Sequence, residues 1–173
     1  MRHLIDFGDL TRAEWESLYQ RCSDIMDHPA DFMDACRGRV MASLFYEPST
    51  RTNFSFQTAM LRVGGTVFGF ADPKSTSTAK GETLKDTIKM VSGYADVVVM
   101  RNPKEGAAKA ASLYSDVPVI NAGDGGHMHP TQTTADLTTI TRLRGKVDGL
   151  SVGLCGDLKN GRTVHSLIKA LAK

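Results

Sequence analysis

The stretch "GRVMASLFYEPSTRTNFSFQTAMLRVGGTVFGF", residues 38–70, contains the pattern that decides the fold. Its first part, 38–47, follows a glycine and is short and mostly apolar, which is typical of a buried strand. A polar turn leads into a helical segment at 52–65, which is predicted to end at its two closing glycines. The run 66–70 is β-branched and aromatic and predicts a second strand. Strand, helix and strand in this order indicate a parallel sheet covered by helices.

The same alternation continues along the rest of the sequence. A capping-box pattern at Thr11 and Glu14 predicts a helix over 11–27, before the first strand. After the second strand, helices and strands are predicted in turn at 82–94, 96–100, 104–114, 117–121, 130–143, 150–156 and 162–173. The predicted fold class is therefore α/β, with a parallel sheet flanked by helices.

Composition excludes several classes of protein. The chain has 173 residues, which is enough for one domain with a core, or for one domain and part of another. With 41% hydrophobic residues, 23% charged residues and a net charge of +2, it is typical of an ordinary globular protein that binds neither nucleic acid nor membrane. It has no long apolar stretch and no signal-peptide pattern, so we expect a cytoplasmic location.

The cysteines predict neither a disulfide framework nor a zinc site. Cys22, Cys36 and Cys155 have no close spacing. We therefore expect buried free thiols in a reducing compartment.

Each predicted strand is followed by a polar segment. In order, these segments are "EPSTRT", "ADPKSTSTAK", "MRNP" and "NAGDGGHMHPTQ". Ligands of parallel sheets bind beyond the carboxyl ends of the strands, so we expect these segments to face one cleft.

The first of these segments has two interpretations. Ser49, Thr50 and Thr52 offer hydroxyl groups, Arg51 offers a guanidinium, and the start of a helix offers free N–H groups, which together suit a phosphate. Alternatively, a serine or threonine only caps the helix and the arginine is a solvated surface residue. This segment alone does not favour one interpretation over the other.

The other segments favour an anion site. They add Lys80, Arg101, His129 and Gln132. Taken singly, the histidine and the glutamine are ordinary structural or surface residues, but their convergence with the cations predicts a site for phosphate or another polyanion. The sequence contains no P-loop and no dinucleotide-binding glycine pattern. Although His127 and His129 alternate, no carboxylate or cysteine cluster accompanies them, so no metal site is predicted.

Five segments, in order, resemble the aspartate carbamoyltransferases. They are "FYEPSTRTNFSF", "STAKGETLKDT", "VMRNPKEGAAKAA", "INAGDGGHMHPTQTTADLTTI" and "GDLKNGRTVHSL", and they extend over essentially the whole chain. The ornithine carbamoyltransferases are a weaker alternative. The resemblance implies transfer of the carbamoyl group from carbamoyl phosphate to L-aspartate, with release of phosphate, in pyrimidine biosynthesis.

The resemblance also implies roles for individual residues. The phosphate of carbamoyl phosphate is expected to be held by Ser49, Thr50, Arg51, Thr52 and Lys80. The carbonyl oxygen is expected to contact the catalytic residues Thr52, Arg101 and His129, and the carbamoyl amide is expected to contact Gln132. Lys80 and Arg162 are expected to bind aspartate.

The same resemblance implies how the site is assembled. It predicts a homotrimer with shared active sites, in which Lys80 reaches the site of a neighbouring subunit. It implies no metal and no organic cofactor. Regulatory chains are left open.

The chain departs from the family pattern in two respects. Asn53 stands where the family more often has a second arginine, so a cation is missing beside the phosphate loop. Members of the family also have a longer, two-domain chain. We therefore expect a truncated form, with a carbamoyl-phosphate domain at 1–145 and the first βα unit of an aspartate domain at 146–173.

The expected βα unit is too small to bury a core of its own. It is expected to pack on the first domain, to pack on another chain, or to be loosely ordered. Two functions remain open. One is a carbamoyltransferase whose truncated chain binds carbamoyl phosphate but turns over poorly. The other is a non-catalytic phosphate-binding or trimer-forming module.

Overall fold

The first apolar run of the sequence forms an inner strand of a parallel sheet. The computed structural model describes residues 1–172, and the strands within them are β1 Val40–Phe45, β2 Thr66–Phe70, β3 Val97–Asn102 and β4 Val119–Asp124. They lie in the order β2-β1-β3-β4, and all neighbouring pairs are parallel. The predicted α/β class and parallel sheet are confirmed.

Helices alternate with the strands as the periodicity predicts. They are α1 Arg12–Asp27, α2 Thr50–Arg62, α3 Leu84–Ser92, α4 Ala107–Tyr114, α5 Pro130–Arg144 and α6 Arg162–Leu171. The predicted capping box begins α1: the Thr11 hydroxyl accepts a hydrogen bond from the N–H of Glu14, and the Glu14 carboxylate accepts one from the N–H of Thr11. Within residues 1–172, no helix combines the length and the apolar character that crossing a membrane requires.

The core lies on both faces of the sheet, because successive side chains of a strand point to opposite faces. Leu44 and Met100 pack on one face with Ile88 of α3, and Phe45 packs on the other face with Met60 of α2. All five side chains are at most 7% exposed. Burial of each such side chain contributes about 1.5–3 kcal/mol. With both faces covered, the carboxyl edge of the sheet is where polar side chains can meet.

The two edge strands differ in how they are covered. At the β4 edge, the N–H of Leu4 donates to the carbonyl of Val119, and the N–H of Asn121 donates to the carbonyl of Leu4. The outer edge of β2 has no partner strand among residues 1–172, and Phe68 on that strand is 37% exposed. The β2 edge is therefore open to another molecule.

The predicted fifth strand is wrong. Residues 150–156 form no strand in the described part of the chain. An extended segment becomes a strand only when a neighbouring strand pairs with its N–H and C=O groups. Within the described residues no strand pairs with 150–156: the segment around Leu4 occupies the β4 edge, and β2 pairs only with β1.

The prediction of buried thiols is also wrong in part. Cys155 lies in this unpaired segment and is exposed, whereas Cys22 and Cys36 are half-buried. All three cysteines are free, as predicted.

Helix α6 packs on the preceding part of the chain. Its residues Leu167 and Leu171 contact the buried cluster of Phe7, Leu10 and Leu137. Of the three arrangements expected for the terminal segment, this helix adopts the first, because the preceding domain offers an apolar surface that covers its apolar side.

Candidate active site

A pocket opens at the carboxyl edge of the sheet, where β1, β3 and β4 end. Its volume is about 960 Å³. The predicted site residues that line it are Ser49, Thr50, Arg51, Thr52, Arg101, His129 and Gln132. Three strand ends therefore meet at one place, as expected for a parallel sheet. The segment after β2, which was also expected at this cleft, contributes no lining residue. Lys80 and Arg162 do not line this pocket.

The N-terminus of α2 forms one wall of the pocket. The helix begins at Thr50, and Ser49 occupies the N-cap position with a non-helical backbone. Within the described residues, the Ser49 side chain makes no capping hydrogen bond. The hydroxyl and the first-turn N–H groups are therefore available to an anion, and the exposed Arg51 lies beside them.

Asn53 belongs to a buried polar network behind this wall. Its side-chain oxygen accepts hydrogen bonds from the Ser43 hydroxyl at 2.8 Å and from the Gln57 amide at 2.7 Å. Asn53 is 6% exposed. Asn53, at the position where the family more often has an arginine, therefore joins α2 to β1 and carries no charge. Arg51 is left as the cation of this segment.

Glu47 joins two arginines beside the pocket. Its Oε1 accepts a hydrogen bond from Arg101 Nε at 2.7 Å and another from Arg162 Nη2 at 3.1 Å. Arg162 Nη1 also donates to the carbonyl of Gly125 at 2.7 Å. These contacts bind Arg162 to Glu47 and to the loop after β4, beside the pocket. Burial and the nearby Arg162 lower the pKa of Arg101.

Sequence reasoning did not select Glu47, although a usable signal was present. Glu47 follows a buried apolar strand almost directly, and a carboxylate at that place needs a partner. It also stands at the start of the same polar segment as Arg51. Two further lining residues, Thr131 and Thr163, were not predicted either, because single threonines have no distinctive pattern.

His129 lies buried at the start of α5, where it is 8% exposed. Its backbone N–H donates to the Ser166 hydroxyl at 2.8 Å. Burial, followed by the positive charges of Arg101 and Arg162, lowers the pKa of His129 to about 4, while the negative charge of Asp124 opposes this shift. The imidazole is therefore neutral at pH 7 and can offer one N–H to an oxygen at the pocket.

The remaining predicted residues differ in their position. Gln132 lines the pocket, and its amide nitrogen donates to Asp136 at 2.9 Å. Lys80 is exposed in the polar loop between β2 and α3. Within residues 1–172, no group of three or more His, Cys, Asp or Glu side chains is placed to hold a metal ion.

The fold and the pocket together define a class: a parallel α/β protein with a cationic, hydroxyl-rich pocket at the carboxyl edge of its sheet. The family model described as "aspartate/ornithine carbamoyltransferase, carbamoyl-P binding domain" matches residues 2–142. The chain therefore belongs to the aspartate/ornithine carbamoyltransferase family.

Individual relatives agree with this assignment. The chain is 57% identical over 172 residues to the aspartate carbamoyltransferase catalytic subunit of Clostridium perfringens, covering 99% of this chain and 56% of the relative. It is 58% identical over 172 residues to that of Clostridium acetobutylicum, with the same coverage. The chain thus spans little more than half the length of these relatives.

Solved structures show the same fold. The catalytic subunit of M. jannaschii aspartate transcarbamoylase superposes with a TM-score of 0.91 at 50% identity, over 99% of this chain and 57% of that one. Aspartate transcarbamoylase from Trypanosoma cruzi, in complex with carbamoyl phosphate and aspartate, superposes with a TM-score of 0.92 at 41% identity. That match covers 98% of this chain and 57% of the other.

Proposed function

We propose that the chain binds carbamoyl phosphate and takes part in carbamoyl transfer to L-aspartate, giving N-carbamoyl-L-aspartate and phosphate in pyrimidine biosynthesis. The observation that carries the proposal is the meeting of three strand ends in one pocket, with the α2 N-terminus on one side and Arg101 and His129 on the other. The names of the relatives support the choice of aspartate over ornithine as the acceptor.

The phosphate group binds at the N-terminus of α2. Ser49, Thr50 and Thr52 supply hydroxyl groups, and the first-turn N–H groups point in the same direction. Arg51 adds a positive charge with two donor directions. This wall stabilises the phosphate both as part of the substrate and as the leaving group.

The carbonyl oxygen of the carbamoyl group faces Thr52, Arg101 and His129. Attack by the aspartate amine places negative charge on that oxygen, and fixed donors aimed at it stabilise the transition state, each by a few kcal/mol. His129 acts here as a neutral N–H donor, because its pKa of about 4 keeps it uncharged at neutral pH. Gln132 contacts the carbamoyl amide.

Aspartate binds through Arg162 and Lys80. In this structure Arg162 is bonded to Glu47 and to the carbonyl of Gly125, so an incoming carboxylate has to take over one of these contacts. For this reason the 173-residue chain is expected to bind carbamoyl phosphate but to turn over poorly by itself. Because Arg162 is already hydrogen-bonded to Glu47 and Gly125, the second candidate function, a non-catalytic phosphate-binding module, is also favoured.

The active form is a homotrimer with active sites shared between subunits. Lys80 lies outside its own pocket and is exposed, which suits a residue that serves a neighbouring subunit. Exposed apolar side chains on α2 and β2 support self-association: Phe54 is 61% exposed, Leu61 59% and Phe68 37%.

We also propose a division of the chain into domains and a cellular location. Residues 1–145 form the carbamoyl-phosphate-binding domain, and 146–173, with α6, begin the aspartate-binding domain. The cytoplasm is the proposed location, and the three free cysteines support it.

A calorimetric titration with carbamoyl phosphate tests the binding step. Arg51→Ala is expected to weaken binding about 10- to 100-fold, because it removes a charge-assisted contact to the phosphate. Arg62→Ala is the matched control, since Arg62 is an exposed arginine at the other end of α2, and it should leave binding unchanged. Equal affinities for the two variants would contradict the proposed phosphate site.

Formation of N-carbamoyl-L-aspartate by the purified chain separates the two candidate functions. Slow but measurable turnover that disappears in Arg101→Ala supports the transferase. Binding of carbamoyl phosphate with no turnover, even after the chain is extended to the length of its relatives, supports the non-catalytic module.

A further inference from the structure

Asp124 is a buried carboxylate to which the proposed reaction gives no role. It is the last residue of β4 and is 2% exposed. A buried carboxylate is costly unless donors surround it, so its contacts show what it holds in place.

Donors from three places in the chain surround this carboxylate. Oδ1 accepts hydrogen bonds from the Asn121 side-chain amide at 3.1 Å and from the N–H of Met128 at 3.0 Å. Oδ2 accepts one from the N–H of Gly106 at 2.9 Å, and His127 Nδ1 lies 3.6 Å away. An ionised carboxylate only accepts hydrogen bonds, so it suits this shell, whereas an amide would turn its own N–H groups towards other donors.

These contacts fix the backbone turn that leads into α5. Met128 directly precedes His129, and the N–H of Asp124 also donates to the carbonyl of Met128 at 3.3 Å. Gly106 is the N-cap residue of α4, in the connection that follows Arg101 and β3. The carboxylate thus holds the loop after β4, which leads to His129, against the loop that follows Arg101 and β3.

We propose that Asp124 is a positioning residue, whose carboxylate holds the turn that aims His129 at the carbonyl of carbamoyl phosphate. Asp124 acts through His129 and does not touch the substrate. The inference rests on the proposed function. Its consequence is selectivity: Asp124 supports the preference for carbamoyl phosphate over inorganic phosphate.

The two ligands report on different walls of the pocket. Inorganic phosphate has no carbonyl and no amide, so its affinity depends on the α2 wall around Arg51 and on the charge of Arg101, and not on His129 or Gln132. Carbamoyl phosphate also needs the wall formed by His129 and Gln132. The ratio of the two affinities therefore reports on the turn that Asp124 holds. A general loss of stability would instead weaken the binding of both ligands together.

The test is calorimetric titration of the wild-type chain and of Asp124→Asn with each ligand. In Asp124→Asn, carbamoyl phosphate is expected to bind about tenfold more weakly, while inorganic phosphate changes less than about twofold. Asp116→Asn is the matched control: the Asp116 side chain is 62% exposed and pairs with Lys89 at the surface. Both of its affinities should equal those of the wild type.

Each outcome decides a different point. An unchanged affinity ratio in Asp124→Asn overturns the positioning role, whether both affinities stay the same or fall equally. A wild-type chain that binds neither ligand overturns the proposed function and this inference with it. If Asp124→Asn does not fold, Asn121→Ala removes one donor to the carboxylate, and a smaller loss of preference in the same direction is expected.

Discussion

Replacing Glu47 by glutamine should lower stability and raise phosphate affinity at the same time. Glu47 Oε1 accepts hydrogen bonds from Arg101 at 2.7 Å and from Arg162 at 3.1 Å. Glutamine keeps the size and one acceptor but removes the negative charge. The two arginines then repel each other without compensation, and the guanidinium of Arg101 becomes available to an anion in the pocket.

The exposure of the side chains sets the size of both effects. The side chains of Arg101, Glu47 and Arg162 are 12%, 22% and 20% exposed. Fully exposed ion pairs contribute at most about 1 kcal/mol, whereas breaking a buried pair costs about 3–5 kcal/mol. For this intermediate case we expect a loss of about 2 kcal/mol in the free energy of unfolding. One freed charge-assisted contact should tighten phosphate binding about tenfold.

Urea unfolding and phosphate calorimetry measure the two effects on the same preparation. Glu16→Gln is the control, because Glu16 pairs with Arg12 at 3.0 Å and both side chains are about 60% exposed. It should change the free energy of unfolding by less than about 1 kcal/mol and leave phosphate binding unaltered. The reasoning is refuted if phosphate binding weakens together with stability in Glu47→Gln.

The pH dependence of stability should follow His129, whose folded pKa of about 4 lies below the ordinary value of 6.5. The unfolded chain therefore takes up the proton more readily, and about 3 kcal/mol of stability, fully present above pH 6.5, is lost as the pH falls towards 4. Urea unfolding across that range should show a steeper loss for the wild type than for His129→Gln, and equal slopes would contradict the assignment. Gly69→Ala should lower the free energy of unfolding by about 3 kcal/mol, because φ is +150° and the new Cβ would lie 1.9 Å from the carbonyl oxygen of Ser43. Gly81→Ala, at φ +94° with open space around it, should cost only about 1 kcal/mol in the same unfolding experiment, and equal costs would remove the steric explanation.

The elements of the fold were predictable where a local pattern was sufficient. The capping box at Thr11 and the apolar periodicity that follows it define α1 without reference to the rest of the chain. The run 66–70 forms β2 as expected. The apolar run 150–156 shows the limit of such patterns, because a strand also needs a partner, and the partner is not part of the local sequence.

The candidate site was predictable to a similar degree. The rule that ligands bind at the carboxyl ends of parallel strands brought Arg51, Arg101 and His129 to one edge, and the pocket contains all three. The rule gives no side-chain directions. It therefore could not show that Glu47 binds both Arg101 and Arg162 beside the pocket.

The sequence by itself determined the order of the first four strands and of the six helices, and the chemistry offered at each strand end, because both depend on residues close together in the chain. Only the tertiary structure decided which groups pair. It joined Glu47 to two arginines, buried Asn53 in a neutral network, and placed Asp124 beneath the turn that leads to His129. The physical reason is that desolvation and ion pairing depend on neighbours brought together by folding, such as Glu47 and Arg162, which are far apart in the sequence.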